Sequence, residues 1–328
     1  MATIIGSSML KVVSLFCGCG GMDLGITGGF EYLGNKYEKL PFKTVYAVDN
    51  DPYATTIYND NFKHKAETKD VRDIVPSEVP DHDILLGGFP CQSFSIVAQN
   101  PPRLGYKDEK GKLFFEMIKI LKEKQPRFFI AENVKGLLSA NNKKAFPMII
   151  KEFEKAGYHI QYKLLNSSEY GIPQKRERIF IVGFRDLEDS FKFQFPATIT
   201  VDNKVPLRLA IDKIANHDEK WFFSEKAVEG MLKVREKMNK GRIQDLEQPC
   251  NTISSHLAKV SLNGTDPVLM INGRYRRFSP REAANIQSFP ITFRFETVSD
   301  NRKYRAIGNA VPPVLMWHIA QELKKLVS

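Results

Sequence analysis

The sequence predicts an α/β fold: a mostly parallel sheet carrying helices, joined to a smaller irregular unit. Three observations carry this. In the first half, short β-branched apolar runs alternate with amphipathic stretches, the signature of βαβ units. From Asp186 to Pro290 that rhythm gives way to a turn-rich pattern without βαβ spacing. The length of 328 residues suits about two domains at roughly 150 residues each. The expected division is a large domain over 1–186, a small one over 187–292, and a return to the large domain over 293–328.

Taken in order, Leu10 to Phe16 is a β-branched run ending in glycines, and Thr44 to Val48 is a second strand. Asp83 to Leu86 reads as a buried strand running into Gly87-Gly88. Lys112 to Lys124 places Leu113, Phe114, Met117, Ile118, Ile120 and Leu121 on a helical stripe. Arg127 to Ala131 is another strand. Lys143 to Ala156 is a helix that tolerates Pro147 near its start and stops at Gly157. His159 to Leu165 and Glu177 to Phe184 are strands, and Val314 to Val327 is a terminal helix behind Pro312-Pro313.

Hydrophobic residues make up 42% and charged residues 26%, which excludes disorder as the main state and leaves enough apolar surface for a sizeable core. No apolar run approaches the roughly 18 residues of a membrane span. Met1 to Ser8 lack the basic start and apolar centre of a secretory signal. Cys17, Cys19, Cys91 and Cys250 are too few and too scattered for a disulfide framework. A reducing cytosolic compartment is expected, and the spacing matches no common zinc pattern, so no metal is expected. Lys+Arg 48 against Asp+Glu 38 gives a net charge of +10, which favours polyanions and nucleic acid above all. The small domain holds two basic clusters, Lys233, Arg235, Lys237, Lys240 and Arg242, then Arg274, Arg276 and Arg277. One such run is ordinarily a solvated face; two in one small domain point to phosphate contacts.

Six segments carry chemistry. Phe16-Cys17-Gly18-Cys19-Gly20-Gly21 lies between a strand and a helix, where glycines let a ligand approach the backbone. The third glycine of a dinucleotide fingerprint would fall on Asp23, which disfavours a nicotinamide. Asp49, after the second strand, suits two ribose hydroxyls, and Asp70 suits an adenine amino group; each also suits a helix cap. Cys91 follows a buried strand, Gly87-Gly88 and Pro90, so it stands at the carboxyl edge of the sheet, where ligands bind. It is a nucleophile if activated and a structural thiol if not. Glu132-Asn133-Val134 ends the next strand, which puts Glu132 beside Cys91, where a carboxyl kept partly protonated can donate to a ring nitrogen. Period two puts Arg176 and Arg178 on one face, suited to a phosphate or base carbonyl, or to a salt-bridge ladder.

The ordered set resembles the DNA (cytosine-5) methyltransferases of bacterial restriction–modification systems. The resemblance rests on the glycine turn, Gly88-Phe89-Pro90-Cys91-Gln92, Glu132-Asn133-Val134, Gln174-x-Arg176-x-Arg178, Arg281-Glu282-Ala283 with Gln287-Ser288-Phe289-Pro290, and Gly308-Asn309-Ala310-Val311. It covers nearly the whole chain. It implies a Rossmann-like S-adenosylmethionine-dependent methyltransferase sheet with helices on both faces, plus a small irregular target-recognition domain. It further implies that a cytosine is flipped out of double-stranded DNA, that Cys91 attacks carbon 6, that Glu132 protonates nitrogen 3, and that carbon 5 takes the methyl group. Arg176 and Arg178 would orient the base and its phosphate. Phe16, Gly18, Gly20, Gly21, Asp49, Asn50, Asp70, Val71, Leu113 and Asn309 would line the pocket for S-adenosyl-L-methionine and its product S-adenosyl-L-homocysteine. Gln92 to Gly111 matches the family's mobile loop.

The resemblance also places target recognition around Asn251-Thr252-Ile253. Arg242, Gln244, Thr252, Ser254, Ser255, His256 and Lys259 are the candidates for base or phosphate contacts. Monomeric action in a bacterial cytoplasm and a separately acting cognate restriction endonuclease are the family expectations. Two positions depart from the pattern: Asn50 stands where many relatives stack a larger side chain on adenine, and Ala310 replaces a frequent Ser. Three alternatives share part of this pattern. An RNA cytosine-5 methyltransferase would share the site, but a recognition domain of roughly 100 residues favours duplex DNA. A non-catalytic DNA-binding protein would lack the nucleophile or the glycine turn, and both are present. A nicotinamide oxidoreductase lacks support from Pro90-Cys91.

Overall fold

The computed structural model describes residues 9–90, 112–212, 214–233, 242–259 and 266–327. Its strands are β1 (Leu10–Leu15), β2 (Phe30–Tyr32), β3 (Asn35–Tyr37), β4 (Phe42–Asp49), β5 (Glu67–Thr68), β6 (Ile84–Gly87), β7 (Phe128–Val134), β8 (His159–Asn166), β9 (Gln174–Lys175), β10 (Glu177–Phe184), β11 (Cys250–Asn251), β12 (Leu269–Ile271) and β13 (Arg274–Arg276). The helices are α1 (Gly21–Thr27), α2 (Pro52–Asn61), α3 (Lys112–Lys124), α4 (Ala145–Lys155), α5 (Leu187–Lys192), α6 (Glu225–Lys233), α7 (Pro280–Ile286), α8 (Asp300–Asn309) and α9 (Pro313–Lys324).

Seven strands form one sheet in the order β5-β4-β1-β6-β7-β10-β8. The pairs from β5 to β7 are parallel, and β10 runs antiparallel to both β7 and β8. The chain leaves β1 for β4 on one side and returns to β6 on the other. The carboxyl ends of β1 and β6 therefore flank a topological switch point, where open α/β sheets bind ligands.

Alternation along each strand builds a core on both faces. Val12, Ile84, Phe128 and Phe180 join one cluster with residues of α1 and α9. Their neighbours Val13, Leu85, Phe129 and Ile181 join the other, with α3 and α4. This is why the strands read as continuous apolar runs: both faces are covered. Gly157, at φ 93°, follows α4 in the left-handed conformation that an L side chain resists.

A third cluster joins Cys19 and Ile57 of the glycine-turn side to Trp221, Cys250, Ile253, Phe278, Phe289 and Tyr304. The helix α5 packs on β8 and β10, and Phe193 belongs to the core under the sheet, both beyond the expected boundary at 186. The expected boundary at 292 falls within one packed set, because α7 lies against α8. The short β2–β3 hairpin was not foreseen, whereas β5 stands where a strand ending near Asp70 is expected.

Candidate active site

The turn after β1 is held open by its backbone. Phe16 and Gly18 both stand at φ 55°, and Gly20 at φ 93°. The three glycines differ in role. A Cβ on Gly18 would meet nothing within 4 Å, whereas one on Gly20 would lie 2.3 Å from the Phe62 ring and one on Gly21 2.2 Å from the Val311 carbonyl oxygen. Gly18 thus opens on free space, while Gly20 and Gly21 let α2 and the Val311 backbone close in. Asp49 splints this turn: its carboxylate accepts from Gly18 N and from Asp51 N, each at 2.9 Å. Burial pushes its carboxyl up.

Beneath the turn lies a residue that was passed over in the sequence. Asp23 is fully buried and accepts from Ser14 Oγ at 2.8 Å, Thr44 Oγ1 at 3.0 Å and Tyr58 OH at 3.1 Å. It fixes β1, β4 and α2 to the start of α1. The only sequence signal was its place where a fingerprint glycine was wanting.

At the far end, Asp70 caps the single turn Val71–Asp73. Its carboxylate already accepts from Arg72 N and Nε at 2.9 Å each and from Arg72 Nη2 at 2.8 Å. The Arg72 side chain, with Asn50 contributing, holds it below the ordinary carboxylate range. An adenine amino group would share this carboxylate with Arg72. Val71 is buried, Leu113 is half-buried at the start of α3, and Asn50 and Asn309 are exposed.

The carboxyl ends of β6 and β7 stand side by side, with Gly87 opposite Ala131. Register therefore sets Glu132 beside Gly88, and Glu132 Oε2 lies 3.8 Å from where a Cβ on Gly88 would stand. Asn133 Nδ2 donates to Phe89 O at 2.9 Å, tying the segment after β6 to β7. Cys91, with Gln92 to Gly111, lies outside the described residues. Glu132 is buried, and its Oε1 is 3.0 Å from Arg178 Nε. Burial pushes its carboxyl up, opposed by Arg178 and Arg176. Burial thus favours the protonated form, from which a carboxyl can donate to a ring nitrogen.

Arg176 has other partners than those expected of it. It lies between β9 and β10, is 1% exposed, and donates to the carbonyls of Ile253, Gly308 and Ala310, each at 3.0 Å. Its guanidinium is committed to protein backbone rather than turned to a base or phosphate.

The expected recognition residues divide. Arg242 and Gln244 are buried. Arg242 Nε donates to Asp266 O at 2.8 Å. Gln244 donates to Arg242 O at 2.8 Å and accepts from Asn251 N at 2.7 Å. Both are internal fasteners, a correction to their placement as readers of DNA. Thr252 Oγ1 donates to Lys175 O at 2.8 Å. Ser254 Oγ donates to Asp266 Oδ1 at 2.6 Å and accepts from His256 N at 3.1 Å. Ser255 is half-exposed and His256 exposed. Lys259 closes the turn Leu257–Lys259; its side chain lies outside the described residues.

The second basic cluster is divided, with Arg276 inside and Arg274 on the surface. Arg276 is fully buried and pairs with Glu282 at 2.7 Å, while Arg274 pairs with Glu219 at 2.7 Å and lies over the Phe222 ring. Arg277 lies over Phe223. Of the first cluster, Arg235, Lys237 and Lys240 lie outside the described residues. Cys17, Cys19 and Cys250 are buried free thiols. Burial pushes Cys19 up to about 12, so it is not a nucleophile at neutral pH.

Residues 10–325 match the family model for C-5 cytosine-specific DNA methylase. The chain is 36% identical to the type II methyltransferase M.FnuDI of Fusobacterium nucleatum, with 97% of this chain and 95% of that protein covered. It is 34% identical to the type II methyltransferase M.Bsp6I of Bacillus sp. (strain RFL6), with 97% and 99% covered. Among solved structures, the Entamoeba histolytica methyltransferase EhMeth aligns with a TM-score of 0.77 at 18% identity, over 98% of this chain and 99% of that one. Dnmt2 of S. pombe aligns with a TM-score of 0.72 at 19% identity, over 97% and 99%. These two likenesses speak for the fold.

Proposed function

The chain belongs to the C-5 cytosine-specific DNA methylase family, and from that premise we propose how its own residues divide the reaction. The activity is sequence-specific methylation of DNA at carbon 5 of cytosine. Use of S-adenosylmethionine is general in the family, and when bound it supplies the methyl group. The residues present fit it: Gly18 opens on free space at the end of β1, with Phe16, Asp49, Asn50 and Asp70 around the same sheet edge.

Cys91, as thiolate, bonds to carbon 6 of the flipped cytosine. Glu132 gives its proton to nitrogen 3, so the electron pair gathers at carbon 5, the site of methylation. Loss of the carbon-5 proton to a base then restores the double bond, the Cys91 sulfur departs with its electron pair, and nitrogen 3 returns its proton to Glu132. This couples covalent to acid–base catalysis. Arg178 holds the Glu132 carboxyl in place. The observation that carries the reading is the buried Glu132–Arg178 pair beside Gly88, three residues before Cys91. Ser255 and His256 are the outward candidates for contact with duplex DNA. The designation of the relatives as type II methyltransferases supports a separately acting restriction endonuclease.

The test is bisulfite sequencing of a plasmid incubated with the protein and S-adenosylmethionine. Protected cytosines confined to one short motif are expected. A folded, cofactor-binding protein that protects none would move the reading to RNA.

A further inference from the structure

The turn that carries the recognition candidates and the turn that carries Asn309 meet backbone to backbone. A Cβ on Gly308 would stand 2.3 Å from Ser254 C and Ser255 N, so only a glycine lets the end of α8 lie against residues 254–255. Arg176 spans the same junction. One end of its guanidinium donates to Ile253 O, and the other donates to both Gly308 O and Ala310 O. A second buried chain runs parallel to the first. Gln174 accepts from Ile253 N at 2.8 Å and donates to Gln287 Oε1. Gln287 in turn donates to Ile307 O at 2.8 Å and to Ala310 O at 3.1 Å. Two residues beyond Arg176, Arg178 reaches Glu132.

Buried donors of this kind have no water to fall back on. The three carbonyls are satisfied together only while both turns keep one mutual arrangement. Arg176 Nε, equally buried, has no protein partner among the described residues, so the side chain is held wholly from its fork. A displacement of either turn would therefore break hydrogen bonds to the other.

We infer that Arg176 is a positioning residue that links the target-reading turn 252–256 to the cofactor-side turn Gly308–Ala310, so that binding at one changes affinity at the other. The linkage is reciprocal, as any binding linkage must be. The inference rests on the reading of Ser255 and His256 as DNA contacts and of Asn309 as a cofactor contact.

The experiment uses the full chain and a duplex containing the motif found by bisulfite sequencing. Calorimetry gives the Kd of S-adenosylhomocysteine with and without saturating duplex, and the ratio is the coupling factor. For the unaltered protein a factor of about 5 or more is expected, within the usual range of such linkages. Arg176→Lys keeps the charge but loses the planar fork, and its factor falls toward one whatever happens to each separate affinity. Gly308→Ala, which forces the two backbones apart, does the same and serves if Arg176→Lys does not fold. A factor near one in the unaltered protein, or one retained in a folded variant, overturns the inference. Asn309→Ala and His256→Ala separate the premises: if neither weakens binding of its own ligand, the reading of the two turns has failed rather than their linkage.

Discussion

Two buried polar sites, Glu132 at the sheet edge and Gln244 in the irregular domain, show how differently the two regions use such groups. Glu132 sits on a strand whose backbone bonds are made by its neighbours on both sides. Its carboxyl meets Arg178 through Oε1 and keeps Oε2 toward Gly88. Gln244 sits where the chain has little ladder, and its amide supplies what the ladder would have supplied, bonding Arg242 O and Asn251 N. Arg276 and Glu282 do the same on a larger scale, binding Asn216, Ser279 and Asp212 around one buried ion pair. Where backbone pairing is complete, a buried polar side chain is free for chemistry. Where it is not, the same residue types become fasteners.

The largest test of that contrast falls at the sheet edge. Cys91→Ser is expected to cut methyl transfer by roughly 10⁴-fold or more, the scale of losing a covalent nucleophile. Transfer of labelled methyl groups to plasmid measures it, and calorimetry with S-adenosylhomocysteine shows that the pocket survives. A rate within tenfold of the unaltered protein removes Cys91 from the mechanism.

Glu132→Gln follows, with an expected loss of about 10²–10⁴-fold for a missing acid. The pH profile adds a sign. Burial holds the Glu132 carboxyl above its usual range, and its protonated fraction falls as pH rises through that value. Where nitrogen protonation is slow, kcat declines on the alkaline side, while formation of the Cys91 thiolate pushes the other way. The glutamine variant cannot titrate, so it loses the alkaline decline. An unchanged profile in that variant assigns the limb to another group.

In the irregular domain the expected losses are of stability. Glu282→Ala leaves Arg276 buried without its carboxylate, and breaking such a pair costs about 3–5 kcal/mol. Urea unfolding should show it, with Glu282→Gln retaining part of the loss because one oxygen remains to accept. A cost below about 1 kcal/mol, the level of an exposed pair, would mean that the domain is not built around this pair.

The same contrast explains what the sequence disclosed. Strand and helix positions in the large domain were legible because alternation between two covered faces leaves a pattern, as at Val12-Val13 and Phe128-Phe129. Glu132 was legible because its place follows from register. Arg176 was misread in its partners, because the carbonyls that take up its fork lie at least 77 residues away in the chain. Asp23 was passed over because three hydroxyls from distant segments meet it only in the folded chain. Arg242, Gln244 and Arg276 were misread for a related reason: composition cannot tell a surface cation or amide from one that fastens loops.

The smallest effects discriminate most finely between fastener and reader. Gln244→Ala takes the side-chain acceptor from Asn251 N at a part-buried position, at about 0.5–1.5 kcal/mol of stability, and should leave the ranking of DNA sequences unchanged. His256→Ala should do the reverse. The side chain is exposed, so the melting temperature should barely move, while discrimination between the preferred duplex and single-base variants falls by about 1–3 kcal/mol if the ring reads a base edge. A uniform weakening on all duplexes, with a shallower salt dependence, would make His256 a phosphate contact instead. If the two variants exchange signatures, burial does not separate structural from reading residues here, and the division drawn across this domain fails with it.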